Sequence, residues 1–250
     1  MKFILLTTLF LAMGGTTHAQ DVPALMAQGD ALDAKLQNRQ ALAVYQAAEK
    51  LDPKNVGLLC RLARQCGLLM VDARSRAECQ ACGEKALEYA KRALALDERS
   101  ATANLSVAIC CGRLAPLLDN KTKIAYSKLV KEHAEKALAL DPNNDLTHHV
   151  LGSWNYEIAQ LGAVTRTLAK LIYGAVPPAS LENAAKHLER AAKLNPSRMG
   201  NHVELGRVYA ALDRKSEARK SLNAALQMPN REKDDPNAKA RAAQALKALQ

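Results

Sequence analysis

The chain has 250 residues, 48% of them hydrophobic and 24% charged, with a formal net charge of +10. That length supports one or two ordinary domains with a true core, and that charge fraction is ordinary for a globular protein. Low-complexity disorder, a collagen-like chain and a multi-span membrane protein are excluded. Only 4% of residues are aromatic. The apolar share rests on Ala and Leu, which favour helices, whereas β-rich chains lean on Val, Ile and aromatics. Composition therefore points to an all-helical chain packed through small side chains.

The first element is a leader. Lys2 precedes an apolar run from Phe3 to Met13, followed by Gly14-Gly15-Thr16-Thr17-His18-Ala19. A short basic start, a brief apolar stretch and a small-residue end read as a secretory signal peptide over residues 1–19. The run is shorter than the roughly 20 residues a bilayer span needs. Thr17 and Ala19 are the expected recognition residues for cleavage; retention as an uncleaved anchor is the alternative. Both Phe residues and Lys2 fall in this segment, so the remaining chain has no Phe and a net charge of +9. Residues 20–250 are expected to form one exported domain, periplasmic or secreted.

Four helical segments then stop alike, at Leu51-Asp52-Pro53, Leu96-Asp97-Glu98, Leu140-Asp141-Pro142 and Leu194-Asn195-Pro196. Pro cannot continue a helix, and it pushes the residue before it out of the helical region. Upstream of each stop comes a small residue, a larger one four on and Ala three further: Ala41/Tyr45/Ala48, Ala86/Ala90/Ala93, Val130/Ala134/Ala137 and Ala184/Leu188/Ala191. A fifth set is Ala218/Leu222/Ala225. This spacing is the second-helix pattern of a tetratricopeptide repeat, and small positions such as Gly29, Gly152 and Gly206 mark the first helices. The stops fall 45, 44 and 54 residues apart, and the fifth set ends at Asn230, 34 residues after Pro196. Against the 34-residue unit, three repeats carry insertions between their paired helices, including Gly174-Ala175-Val176-Pro177-Pro178. The predicted architecture is a right-handed all-α solenoid. Its helix pairs occupy about 22–55, 56–100, 101–144, 145–198 and 199–232, with a capping helix over 235–250.

The stretch from Leu59 to Leu246 resembles the regulator of microtubule dynamics protein family. The carrying segments are Ala86-Leu87-Glu88-Tyr89-Ala90-Lys91-Arg92-Ala93, Lys131-Glu132-His133-Ala134-Glu135-Lys136-Ala137 and His149-Val150-Leu151-Gly152-Ser153-Trp154-Asn155-Tyr156. Arg166, Ala169, Pro177-Pro178 and the long fourth repeat add to it. The resemblance implies interaction proteins rather than enzymes, associated with microtubules or organelle membranes through an N-terminal anchor. An export signal departs from that pattern, so the expectation is a bacterial exported relative with no microtubule partner.

Candidate chemistry is sparse. No hydrolase elbow, zincin motif, phosphate loop or dinucleotide glycine pattern occurs, so no enzyme activity, cofactor or metal is expected. Lys and Arg alternate with Asp and Glu, with no basic block and no aromatic ladder, which argues against nucleic acid. Cys60, Cys66, Cys79, Cys82, Cys110 and Cys111 are an even count suited to disulfides in an exported chain. Buried free thiols are the alternative, and Cys66 and Cys111 occupy an aromatic-packing slot. The repeat register places Arg64, Arg113, His149, Tyr156 and Arg207 on the concave face, a basic groove for the carboxylates of a protein or peptide partner. Two other functions remain open: an envelope structural protein held on anionic surfaces, and a thiol redox helper using Cys79 and Cys82.

Overall fold

The computed structural model describes residues 21–162, 165–167, 170–171 and 178–250. The leader over 1–19 lies outside the described residues, as do Ala169 and Gly174 to Pro177 of the long fourth repeat. The helices are α1 (Val22–Ala34), α2 (Asn38–Leu51), α3 (Val56–Leu69), α4 (Arg76–Leu96), α5 (Ala101–Leu114) and α6 (Asn120–Leu140). There follow α7 (Asp145–Ala159), α8 (Leu181–Leu194), α9 (Met199–Ala211), α10 (Lys215–Gln227) and α11 (Asp235–Ala248). Consecutive helices pack on one another as antiparallel pairs, and successive pairs stack into a helical solenoid. No strand occurs among the described residues.

Local chemistry sets the helix ends. Asn55, Ser75, Ser100, Asn144 and Ser180 each accept an amide N–H from three residues on, which satisfies a donor of the first turn. The helices before the stop signals end at Leu51, Leu96, Leu140 and Leu194. In the two pairs without long inter-helix insertions, the turn is a left-handed residue, Leu36 and Asp213, each at φ 58°. There Gln37 N–H reaches Leu32 O and Arg214 N–H reaches Tyr209 O, closing a Schellman turn.

The insertions of the second and third repeats become structure. Helices α4 and α6 run for 21 residues, against 14 in α2 and α8. Each follows a short 3-10 turn, Met70–Asp72 and Ala115–Leu117. The added turns are packed: a Cβ on Gly83 would stand 2.6 Å from Leu114 Cδ2.

Within a pair the contact is made by residues of complementary size. A Cβ on Gly29 would meet Tyr45 at 2.3 Å, one on Gly152 would meet Leu188 at 2.5 Å, and one on Gly206 would meet Leu222 at 2.5 Å. In the second and third pairs Ala63 and Ala108 hold the first-helix position while Ala90 and Ala134 hold the second, all buried. At the far end α11 lays Ala238 and Ala242 against Met199, Val203 and Leu222.

Candidate binding cavity

The first helices of the second, third and fourth pairs share the concave side, as the repeat geometry requires. They enclose a cavity of about 940 Å³. Arg64 and Gly67 come from α3, Ile109 and Arg113 from α5, and His149 and Ser153 from α7. Glu232 and Asp234 before α11, with Asp235 at its first position, complete the wall.

Arg113 is the chemically distinctive group. Its Nη1 donates to Gly67 O at 2.8 Å, and no carboxylate among the described residues forms an ion pair with it. A guanidinium carries five N–H donors in a planar fork. Desolvation holds its pKa below the ordinary arginine value, while Asp234 and Glu232 act through space in the opposite direction. Arg64 differs: its Nε pairs with Asp33 Oδ2 at 3.1 Å, and its side chain is 46% exposed. Ser153 Oγ, buried in the same wall, has no hydrogen-bond partner among the described residues.

His149 faces the cavity but is hemmed in by protein. Asn201 Nδ2 donates to Ala191 O and Asn195 O, which leaves Asn201 Oδ1 as an acceptor. His149 Nδ1, 3.0 Å from that oxygen, therefore carries the proton. Desolvation keeps the ring's pKa below its ordinary value, so this imidazole is held neutral.

Three of the five residues expected on the groove, Arg64, Arg113 and His149, line this cavity. Tyr156 and Arg207 do not join them. Arg207 stacks over the Tyr156 ring at 4.9 Å and pairs with Glu204 one turn back on its own helix. Trp154 is a packing residue: it is buried, and its Nε1 donates to Ser127 O and Oγ at 3.0 Å.

One group gives no local sequence signal. Arg198, at the start of α9, donates from Nε to Asp145 at 2.6 Å and from Nη1 to Glu232 at 2.6 Å. Beside it Lys233 Nζ reaches Asp72 Oδ1 at 2.8 Å. These partners are scattered along the chain, so no spacing rule connects them.

The six cysteines stand as free thiols, four buried and Cys79 and Cys82 partly exposed. Burial pushes Cys66 and Cys111 up to about 11 and Cys110 up to about 12, and raises Cys60 and Cys82 as well. The thiolate is the nucleophile and metal ligand, so these environments suppress both roles near neutral pH. Among the described residues no three His, Cys, Asp or Glu side chains gather to hold a metal, and no helix is long and apolar enough to cross a membrane.

Comparison with known proteins agrees with this architecture. The profile of the family described as "Regulator of microtubule dynamics protein 1-3" matches residues 25–250. Regulator of microtubule dynamics protein 1 of Bos taurus is 33% identical over 212 residues, which is 84% of this chain and 65% of that protein. Its Mus musculus counterpart is 30% identical over 243 residues, 96% of this chain and 79% of that one. Among solved structures, a thermophilic tetratricopeptide-repeat protein of Thermus thermophilus superposes with a TM-score of 0.63 at 19% identity. That superposition covers 90% of this chain and 98% of the other, and shows a shared fold.

Proposed function

The chain belongs to the regulator of microtubule dynamics protein family, and on that premise we propose that it is a non-catalytic scaffold holding an extended segment of a partner protein in its concave cavity. The observation that carries this reading is the cavity itself, walled by the first helices of three successive pairs and carrying Arg113 without an ion-pair partner among the described residues. A half-buried guanidinium gains from a carboxylate that meets its fork with two hydrogen bonds. Cys66, Cys110 and Cys111 support a packing role rather than chemistry, since burial raises their pKa.

The partner is not taken from the relatives' name. Residues 1–19 read as an export signal, and on that reading the domain works outside the cytosol, away from tubulin. The intact mass of the protein recovered from its native cell tests this: loss of residues 1–19 supports export, and a full-length cytosolic protein rejects it.

Crosslinking capture tests the scaffold. A photoreactive residue replacing Ile109 faces the cavity, and one replacing the exposed Leu96 faces away. A partner captured from position 109, and lost when Arg113→Leu is added, supports the reading. Equal capture from both positions, or from neither, rejects it.

A further inference from the structure

Part of the cavity wall is a turn of the chain that carries three carboxylates, Glu232, Asp234 and Asp235. Residues 231–235 run Arg-Glu-Lys-Asp-Asp from the connection after α10 into the first residue of α11. Asp235 Oδ2 accepts the amide N–H groups of Arg231 and Glu232, each at 2.7 Å, and folds the segment into a tight turn. Arg198 holds Glu232 at 2.6 Å, and Arg241 holds Asp234 at 3.1 Å. Lys233 reaches back to Asp72, 161 residues earlier, at the end of the 3-10 turn after α3. The segment thus bridges the fifth pair to the second along the cavity wall.

Its charges matter to Arg113 without touching it. Glu232 and Asp234 act on that guanidinium through space, yet neither forms an ion pair with it. The internal carboxylates therefore offset part of this half-buried charge, and the fork beyond its Nη1 bond to Gly67 O meets no carboxylate among the described residues. Ser153 Oγ adds a second unused polar group on the same wall. Ile109, Val150 and Leu161 supply apolar surface between these polar points. An incoming acidic chain meets the fork and the apolar wall, but it also meets Glu232 and Asp234. Those two carboxylates are already paired with Arg198 and Arg241, so the incoming chain and the segment compete for the same stretch of wall, with carboxylate repulsion a smaller addition.

We propose that the cavity takes an acidic extended peptide whose carboxylate seats on Arg113, and that residues 231–235, clasped by Lys233 and Asp72, are the gate this peptide displaces. The proposal rests on the concave-cavity reading and adds to it the partner's chemistry and a means of control. The clasp is a single ion pair whose side chains are 25% and 32% exposed, so salt screens it in part.

The test uses the whole domain and two labelled peptides of about nine residues, roughly 30 Å when extended, one alternating Glu with Leu and the other Lys with Leu. Fluorescence anisotropy measures binding to the native chain, to Lys233→Ala and to Arg113→Met. The Glu-Leu peptide is expected to bind in preference. Lys233→Ala is expected to tighten it about threefold, within the range that releasing one surface ion pair supports. That variant removes a positive charge, so general electrostatics predicts the opposite sign. Arg113→Met is expected to weaken binding about tenfold or more. Hydrogen exchange on the native chain gives a second readout that needs no variant: bound peptide should speed exchange at the Arg231 and Glu232 amides.

Unchanged or weaker binding in Lys233→Ala, or slower exchange at those amides, overturns the gate. Equal or better binding of the Lys-Leu peptide, crosslinked at position 109, overturns the acidic class while leaving the concave cavity as the binding face. Glu-Leu peptide crosslinked only from position 96 overturns both. Anionic vesicles held through Arg113 in place of the peptide also overturn the proposal.

Discussion

The middle and the C-terminal half of the solenoid solve one packing problem in two ways. In the fourth and fifth pairs a glycine on the first helix receives a leucine from the second, Gly152 with Leu188 and Gly206 with Leu222. In the second and third pairs alanine stands at both positions, Ala63 with Ala90 and Ala108 with Ala134. One helix surrenders a side chain and the other enlarges its own, or both keep a methyl. The spacing between helices is set by the sum of the two groups, so neither position is fixed alone. The alanine pairs also carry the long helices α4 and α6, whose extra turns add contact area beyond the repeat unit.

Truncating the leucine should break this symmetry most strongly. Leu222→Ala leaves a void opposite Gly206, and about 2–5 kcal/mol of stability should be lost in urea unfolding. Ala90→Gly truncates only a methyl, and its cost should stay near the roughly 1 kcal/mol of helix propensity. A similar loss at both sites removes the distinction. Next in size is a transplant. Ala134→Leu should destabilise by about 1–3 kcal/mol through overpacking, and adding Ala108→Gly should recover part of that loss. The double-mutant coupling measures the complementarity directly, and additive losses reject it.

Acid sharpens the comparison further. Each region buries a His-Asn pair at 3.0 Å, His133 with Asn104 and His149 with Asn201. Desolvation lowers the pKa of both rings from the ordinary 6.5. As pH falls below about 6.5 the unfolded chain takes up protons that the folded chain refuses. Their contribution is therefore intact above that value and is lost as pH drops. His149→Gln keeps a donor for Asn201 and removes the titration, so its melting temperature should fall less between pH 7 and pH 5 than that of the native chain. An identical fall shows that His149 does not contribute to the acid loss. Smallest is the turn of the fifth pair. Asp213 is exposed and left-handed, so Asp213→Gly should gain up to about 1 kcal/mol. A loss there would show that the side chain, rather than the backbone, holds the turn.

Much of the fold was legible because it repeats. Each Leu-Asp or Leu-Asn stop coincides with a helix end, and Ala41, Tyr45 and Ala48 are fully buried as the register requires. The cavity was legible in part. Arg64, Arg113 and His149 could be placed because they sit on first helices whose inward face the period defines. Arg207 shares that register, but Glu204 three residues before it and the Tyr156 ring give it nearer partners. The clasp and the Arg198 junction were illegible because nothing periodic links Asp72 with Lys233, or Asp145 with Glu232. They arise only once the superhelix brings distant turns together.

The clasp has a mechanical meaning. A stack in which each turn touches only its neighbours stretches like a spring, with its compliance shared among all the turns. The ion pair between Asp72 and Lys233 fastens one coil to another several turns away. Tension applied along the axis loads that fastening first, before any helix pair is pried apart. Stretching single molecules is therefore expected to need more force at low ionic strength than at high ionic strength.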